Sequence, residues 1–190
     1  YTFSTKSDDG SHVYIDGIMI VDNGGLHAAH EETGKVQLTA GKHEFKADFF
    51  EEKGGENMVV KYSGPDTGDS AVLLTNAGIG GSNSGGRRLL GASAGGFEGK
   101  YYFLDGGVKV SSMPDLTGVQ PNAVALSTDI NYATYDAFKA AVSSIPESRV
   151  AVVWTGSVTI ATPGSYTFST KSDDGSHVYI DGIMIVDNGG

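Results

Sequence analysis

One segment of 25 residues occurs twice in this chain without a single change. Residues 1–25 and residues 166–190 both read YTFSTKSDDGSHVYIDGIMIVDNGG, at an offset of 165 residues. Chance does not produce an identity of this length, so we interpret the chain as one full period of a tandem array with a short overlap into the next copy. A period of this size is large enough to fold as one ordinary domain.

The repeated segment has the pattern of β structure. Residues 1–5 alternate large apolar with small polar side chains, which is typical of a strand with one buried face. Residues 12–15 and 18–21 are β-branched runs separated by Asp16 and Gly17. This dipeptide suits a two-residue turn with positive φ, so the sequence predicts a β-hairpin here.

Two adjacent carboxylates, Asp8 and Asp9, lie in the polar loop between the first strand and the hairpin. They repel each other unless a positive charge lies close to them, and calcium is the usual cation for ligands that are all oxygen. The residues alone leave two interpretations open, a calcium site and a solvated turn. The same pair returns as Asp173 and Asp174 in the second copy.

Composition excludes several classes of partner and site. The formal net charge is −10, which argues against binding to nucleic acid or to an anionic membrane surface. The chain has no cysteine, so it has neither disulfides nor thiolate metal sites. No apolar run is long enough to span a bilayer, and we expect no membrane insertion.

The remaining pattern predicts an all-β fold, an antiparallel β-sandwich with one short helix. The helix is expected over residues 135–145, where Tyr135, Phe138, Val142 and Ile145 share one face and Pro146 follows. We expect Trp154 at the centre of the core, packed with Phe3, Tyr14, Phe45 and Phe49 or with their equivalents from the neighbouring copy. The further predicted strands cover residues 35–39, 43–49, 57–62, 101–104, 108–110, 149–155 and 157–161.

Residues 64–95 are rich in glycine and small polar residues, as flexible connections are. We therefore divide the chain into the C-terminal part of one module (1–63), a linker (64–95) and the N-terminal part of the next module (96–190). Apolar residues inside the linker have no use in a simple spacer. We expect them to dock on an adjacent module as an added strand or a groove plug; they are Ala71, Val72, Leu73, Leu74 and Thr75, with Leu89 and Leu90.

Other residue groups give weaker signals. His27 and His30 have a spacing that suits one helical face, but no carboxylate completes a metal site. Glu51, Glu52 and Glu56 lie on a charged turn and are expected to be solvated rather than to form a catalytic pair. The sequence contains no motif of a nucleophilic, metal-dependent or phosphate-binding enzyme, and we expect no catalytic activity.

Several segments together carry the pattern of a known family. They are Ala151–Gly156, Pro163–Phe168, Ser172–Ser176, Tyr179–Gly182, Val186–Asn188, Gly96–Tyr102, Leu38–Phe45 and Asn57–Tyr62. These segments resemble the protective-antigen module, a β-sandwich found in bacterial toxins, glycosidases and adhesins and in yeast flocculins. The resemblance implies that a natural module begins near Gly96 and ends at the equivalent of Tyr62 in the next copy.

The resemblance also implies a ligand. In the lectin members of that family the paired aspartates bind calcium through a cis peptide, and the ion then binds vicinal sugar hydroxyls. Carried over, this assigns calcium to Asp8 and Asp9 and to their duplicates Asp173 and Asp174. The lectin members have a second loop with an asparagine ligand, and no counterpart of it is identified in this sequence.

These observations lead to one main functional hypothesis and one alternative. The chain is expected to be a repeat unit of an extracellular or cell-surface structural or adhesive protein, which assembles into a fibre through copies of itself. The alternative is a calcium-dependent, carbohydrate-binding adhesin module with glycan partners.

Overall fold

The structure, a computed structural model, describes residues 2–75, 96–104, 110–171, 176–180 and 183–188, with the backbone alone beyond residue 165. A short 3-10 turn covers Pro65–Thr67. The strands and the helix, in chain order, are β1 (Thr2–Asp8), β2 (Ser11–Ile15), β3 (Ile18–Asn23), β4 (His30–Leu38), β5 (Gly41–Glu51), β6 (Asn57–Ser63), β7 (Val72–Leu73), β8 (Phe97–Phe103), β9 (Ala123–Ser127), β10 (Asn131–Tyr132), α1 (Tyr135–Ala141), β11 (Val150–Ile160), β12 (Gly164–Lys171), β13 (Ser176–Ile180) and β14 (Ile183–Asn188).

The strands form two antiparallel sheets, which confirms the predicted β-sandwich with one short helix. In the first sheet β4, β1, β6 and β10 are neighbours, β7 extends along β6, and β12 pairs with both β4 and β6. The second sheet has the order β3-β2-β5-β11-β8-β9. Strands β13 and β14 form a separate hairpin with the same register as β2 and β3.

The ladder between β5 and β11 joins the segments on either side of the linker. It runs from the pair Gly41–Ile160 to the pair Glu51–Val150 without a break. Buried side chains from both segments belong to one hydrophobic core. In this structure, therefore, residues 2–63 and 96–160 complete one sandwich within the same chain, while their assignment to successive modules stays a prediction.

Local signals in the sequence predicted the turns well and the strand ends less well. Asp16 and Gly17 have φ values of 51° and 77°, so the predicted two-residue hairpin turn is confirmed. The two strands expected between residues 149 and 161 are one continuous strand, β11. The helix begins at Tyr135 as predicted but ends at Ala141, because Val142 adopts an extended conformation.

Trp154 lies at the centre of the core, as predicted, and is fully buried. Its indole packs against Tyr132, Tyr101 and Phe138, with ring centroids 5.5, 6.2 and 6.4 Å away. Gly99 pairs with Trp154 across the sheet, and a Cβ at Gly99 would lie 2.9 Å from the indole nitrogen. The absence of a side chain at residue 99 therefore makes room for the ring.

The other predicted core aromatics divide into two groups. Phe3, Phe45 and Phe49 belong to the same core as Trp154 and are buried. The prediction for Tyr14 is wrong, since its side chain is partly exposed on the outer side of the sheet. The Nζ of Lys46 lies 4.1 Å from the centre of the Tyr14 ring, so this residue forms a cation–π contact instead.

The apolar segment Ala71–Thr75 adds to β6 of the same chain. Val72 and Leu73 pair with Tyr62 and Lys61, and the fully buried Leu74 donates its N–H to the carbonyl of Val60 at 3.0 Å. Docking of this segment on an adjacent module stays a prediction. Leu89 and Leu90 lie outside the described residues.

Replacing Trp154 by Ala should lower the free energy of unfolding by roughly 3–5 kcal/mol, because it leaves a large cavity between the two sheets. Urea unfolding followed by far-UV circular dichroism measures this change. Leu126→Ala is the matched control, since Leu126 is 74% exposed and its loss should change stability by less than about 0.5 kcal/mol. Equal effects of the two substitutions would contradict the central position of Trp154.

Candidate metal centre

The aspartate loop is a tight connection between the two sheets. Strand β1 ends at Asp8, β2 begins at Ser11, and Asp9 between them has a φ of 54°. A side chain at residue 10 would clash with the ring of Phe50, because a ring carbon lies 2.1 Å from where a Cβ would be. The Phe50 N–H also donates to the Gly10 carbonyl at 2.7 Å. Packing against Phe50 thus requires a glycine at residue 10.

Asp9 is held in place by backbone groups from two other loops. Its Oδ1 accepts the N–H of His27 at 3.1 Å, and its Oδ2 accepts the N–H of Glu52 at 2.8 Å. The N–H of Asp9 in turn donates to the carbonyl of His27 at 2.8 Å. These bonds fix the orientation of the carboxylate, and Asp9 is only 4% exposed. Such bonds preorganise a ligand group before any ion binds.

Glu51 completes a cluster of three carboxylates that the sequence did not indicate. One oxygen from each of Asp8, Asp9 and Glu51 lies within 4.8 Å of the others. Glu51 is fully buried at the end of β5, and neither of its side-chain oxygens has a hydrogen-bond partner among the described residues. Ionised carboxylates only accept hydrogen bonds, so the neighbouring carboxylate of Asp9 cannot serve as a donor to Glu51.

Burial and mutual repulsion disfavour the ionised forms of the carboxylates in this cluster. Burial raises the pKa of Glu51 to about 9, and the neighbouring carboxylates of Asp9 and Asp8 add to the effect. Burial also raises the pKa of Asp8, with a further contribution from Asp9. The three groups cannot all be ionised at neutral pH unless a cation neutralises them.

The space beside the carboxylates is bounded by groups that suit a cation. Gly54 and Gly55 face the cluster, and a Cβ at Gly54 would lie 3.5 Å from an Asp8 oxygen and 3.8 Å from a Glu51 oxygen. Asn57 pairs directly with Asp8 across β1 and β6. Its Oδ1 is buried without a partner among the described residues, whereas its Nδ2 donates to the Ala133 carbonyl at 3.1 Å.

The expectation that Glu51, Glu52 and Glu56 are solvated is wrong. They are 0%, 6% and 7% exposed. Glu52, just past the end of β5, accepts hydrogen bonds from Nη1 of Arg149 with both carboxylate oxygens, at 2.9 and 3.1 Å. Burial raises the pKa of Glu56 as well. The turn that contains Glu51, Glu52 and Glu56 is therefore buried in the fold although its sequence is charged.

The histidines do not form a metal site of their own. The rings of His27 and His30 are 6.3 Å apart. The ring nitrogens of His27 lie 3.2 Å from the backbone carbonyls of Ala28 and Asn23. His27 contributes to the cluster through its backbone, which holds Asp9.

A second buried charged group, on β2, β3 and β5, illustrates the contrast. His12 lies between Asp48 and Asp22, and Lys46 bonds the other Asp48 oxygen at 3.0 Å. Burial lowers the pKa of His12, but the two carboxylates outweigh it and raise that pKa to about 10. This group contains its own positive charges and needs no ion, whereas no described residue forms a salt bridge with Asp8, Asp9 or Glu51.

Two further expectations about the aspartate pairs can be placed. Peptide bonds between described residues are all trans, so the cis bond implied by the resemblance is not found here. Asp173 and Asp174 lie outside the described residues, and their assignment to calcium stays a prediction.

Comparison with family models identifies the fold. The model described as the PA14 domain matches residues 1–76 and 107–190. The chain belongs to the PA14 domain family. This confirms the resemblance to the protective-antigen module, and the match lies on both sides of the linker as the sandwich does.

One curated relative extends along the whole PA14 chain. It is the anti-sigma-I factor RsgI3 of Acetivibrio thermocellus, 22% identical over 189 residues. The match covers 99% of this chain but 27% of the relative, so the chain spans about a quarter of that protein. No solved structure matches. Among the described residues, no helix combines the length and the apolar character that a bilayer crossing needs.

The raised pKa of Glu51 gives this PA14 domain a testable pH dependence. The ordinary value is 4.5 and the folded value about 9, so the folded chain holds this proton more tightly than the unfolded chain. Without a cation, the contribution of Glu51 to stability is greatest below pH 4.5 and falls as the pH rises toward 9.

Replacing Glu51 by Gln should therefore stabilise the metal-free domain at pH 8 by roughly 1–3 kcal/mol, because Gln is neutral without the proton that Glu51 must take up on folding, at about 1.4 kcal/mol per pKa unit. At pH 5 the gain should be smaller. Urea unfolding in the presence of a chelator at both pH values measures it. Glu44→Gln, on the exposed face of the same strand, is the control. If Glu51→Gln destabilises the domain equally at both pH values, Glu51 does not have a raised pKa in the folded chain.

Proposed function

We propose that this chain is a calcium-binding PA14 module of an extracellular or cell-surface protein with an adhesive or structural role. The observation that carries the proposal is Glu51, a fully buried carboxylate with no hydrogen-bond partner among the described residues, within 4.8 Å of the oxygens of Asp8 and Asp9. A fold keeps such a group only if something compensates its charge. A divalent cation compensates all three carboxylates at once.

The type of donor favours calcium over other metals. The candidate ligands are the carboxylates of Asp8, Asp9 and Glu51 and the amide oxygen of Asn57, which are all oxygen. Calcium accepts about 6–8 oxygen ligands in flexible geometry, so positions remain for water or for a ligand hydroxyl. Zinc and copper prefer nitrogen or sulfur, whereas the ring nitrogens of His27 lie 3.2 Å from backbone carbonyls and Nε2 of His30 lies 3.4 Å from a Glu32 oxygen.

Calcium should raise the unfolding midpoint of the chain at pH 7.5. An ion that binds the folded state alone stabilises it by about 2.7 kcal/mol at a hundredfold excess over Kd. Differential scanning calorimetry with calcium, with magnesium and with a chelator measures this effect. Asp9→Asn and Glu51→Gln should each abolish the response, whereas Glu44→Gln should keep it. An unfolding midpoint that ignores both calcium and chelator would reject the proposal.

A specific observation supports carbohydrate binding as the role of the centre. The Asp8 carboxylate is partly exposed, and the neighbouring Gly54 and Gly55 present no side chains toward it. A bound ion would therefore be reachable from solvent on that side, where vicinal hydroxyls of a sugar can replace its waters. PA14 domains are typical of adhesin and carbohydrate-binding proteins, and this chain belongs to that family.

Glycan binding should depend on the same carboxylates. On a glycan array the chain should bind sugars in the presence of calcium and dissociate when a chelator is added. Asp8→Asn should weaken this binding by at least about tenfold, which corresponds to about 1.4 kcal/mol for the loss of one charged ligand. Signals that persist in chelator would indicate a site elsewhere on the module. Binding of calcium without any glycan would leave a structural role for the ion and would reject the lectin function.

Assembly into a fibre through tandem modules is the second part of the proposal. It is supported by the exact duplication of residues 1–25 and by the way residues 2–63 and 96–160 complement each other in one sandwich. Electron microscopy of chains with several periods tests it, because filaments and free monomers differ in outline. The regulatory activity that the name of the anti-sigma factor denotes is not carried over, since the match covers 27% of that protein.

A further inference from the structure

Strand β9 is the last strand of the second sheet, and it pairs with β8 alone. In an antiparallel pair, every second residue directs its N–H and its carbonyl away from the partner strand. Among the described residues, no strand and no other group hydrogen-bonds the backbone of residues 123–127 on that side. We call this row of backbone groups the β9 edge. A further strand can pair with an edge of this kind.

The β9 edge lacks the features that keep exposed strands apart. Its five residues include no charged side chain and no proline, and its ladder with β8 runs from Phe97 to Tyr101 without a bulge. At the opposite edge of the same sheet, β3 contains a register shift and carries Asp22. Strands β7 and β10 of the first sheet have only two residues each. Bulges, charges and short strands prevent pairing between sheets, whereas the β9 edge stays open to it.

Apolar side chains are exposed beside the β9 edge. Val124 and Leu126, on the outer face of β9, are 55% and 74% exposed, and Val119 in the preceding loop is exposed as well. These are three of the four large apolar side chains exposed in the described part of the chain, so exposed apolar surface is concentrated here. Ala123 and Ala125 pack against the core on the inner face. A strand that pairs with β9 would therefore cover part of Val124 and Leu126.

A second chain of the same sequence fits the β9 edge about a two-fold axis through Ala125. Antiparallel pairing about this axis places Val124 of each chain directly opposite Leu126 of the other chain. The two exposed apolar side chains of one strand thus meet those of the other. Pairs of apolar side chains across neighbouring strands stabilise a sheet.

The charges on β8 favour this axis over its neighbours. Lys100 pairs with Val124, and Glu98 pairs with Leu126. With the axis at Ala125, each row across the joined sheets has Lys100 of one chain at one end and Glu98 of the other chain at the other end. An axis at Leu126 would place Glu98 at both ends of one row, and an axis at Val124 would do the same with Lys100. Like charges in one row repel each other.

The interface is small, so its strength depends on repetition. Five residues on each side cover less surface than the roughly 1,200–2,000 Å² that specific, stable interfaces bury, and single chains should therefore pair weakly. In the tandem array of the proposed assembly, each period of 165 residues presents one β9 edge. Pairing at one period holds the next pair of edges close together, so several weak contacts add up to a strong one.

We propose that the β9 edge binds the β9 edge of a second chain, antiparallel about Ala125, and so joins neighbouring arrays side by side. A two-fold contact of this kind uses the same surface on both chains and is closed, so each edge takes one partner. The inference deepens the proposed assembly and rests on it for its strength. Neither calcium nor a glycan takes part in it.

The first test traps the pair with a disulfide, and it is simple to read because the chain has no cysteine. One chain carries Val124→Cys and another carries Leu126→Cys, and the two are mixed at high concentration under mild oxidation. Directly opposed strand residues lie within disulfide distance, whereas two copies of the same residue are offset by about 7–8 Å. The mixed dimer should therefore exceed either homodimer by at least about tenfold.

Val119→Cys is the control for random collision, because Val119 is exposed but lies outside β9. Mixed with either β9 variant, it should give only the low yield of the homodimers. Urea midpoints close to that of the unsubstituted chain show that these exposed substitutions leave the fold intact. Equal yields of mixed dimer and homodimers would overturn the proposal, as would an excess of either homodimer or the absence of any dimer.

The second test asks whether the β9 edge joins arrays. In chains of several periods, Leu126→Lys in every period should abolish side-by-side association in sedimentation and electron microscopy, because it places charges within the pair. Val72→Lys, at an exposed residue of β7, should keep the association. Association that survives Leu126→Lys would overturn the proposal. If the mixed disulfide forms but chains of several periods give no filaments, the β9 edge stands and the fibre of the proposed function fails.

Discussion

The pairing of β5 with β11 is the interaction on which the rest of this structure depends. It is the longest ladder in the described part of the chain, and it joins residues that lie about a hundred positions apart in the sequence. Loop-closure cost grows slowly with length, so a long linker between the two strands is tolerated once the ladder forms. The ladder sets Trp154 beneath the helix and brings the end of β5, with Glu51, beside the aspartate loop.

The sequence predicted those features that local chemistry determines. Asp16 and Gly17 specify their turn by backbone conformation alone, and alternation along β1 and β5 shows which faces are buried. It could not show that Glu51 is buried, because that depends on where β5 ends relative to a loop more than forty residues earlier. The polar first half of β4 escaped notice for a similar reason, since its strand character comes from pairing partners rather than from its own residues.

The candidate site shows how one fold treats two buried charged groups differently. Around His12 the acidic and basic side chains neutralise each other, and the group serves stability without a ligand. Around Glu51 the backbone N–H groups bond Asp9, and none of the salt bridges between described residues involves Asp8, Asp9 or Glu51. The first group is neutralised by its own side chains. In the second group, protons and a metal ion compete for the same carboxylates, so the occupancy by a metal ion depends on the pH and the ion concentration of the solution.

The aspartate pair and Glu51 reach the candidate centre from different sheets, since Asp8 ends β1 and Glu51 ends β5. A cation bound by all three carboxylates would therefore join the two sheets at one end of the sandwich. Separation of the sheets would then require release of the ion, so the rate of unfolding would depend on the ion concentration in the solution around the protein.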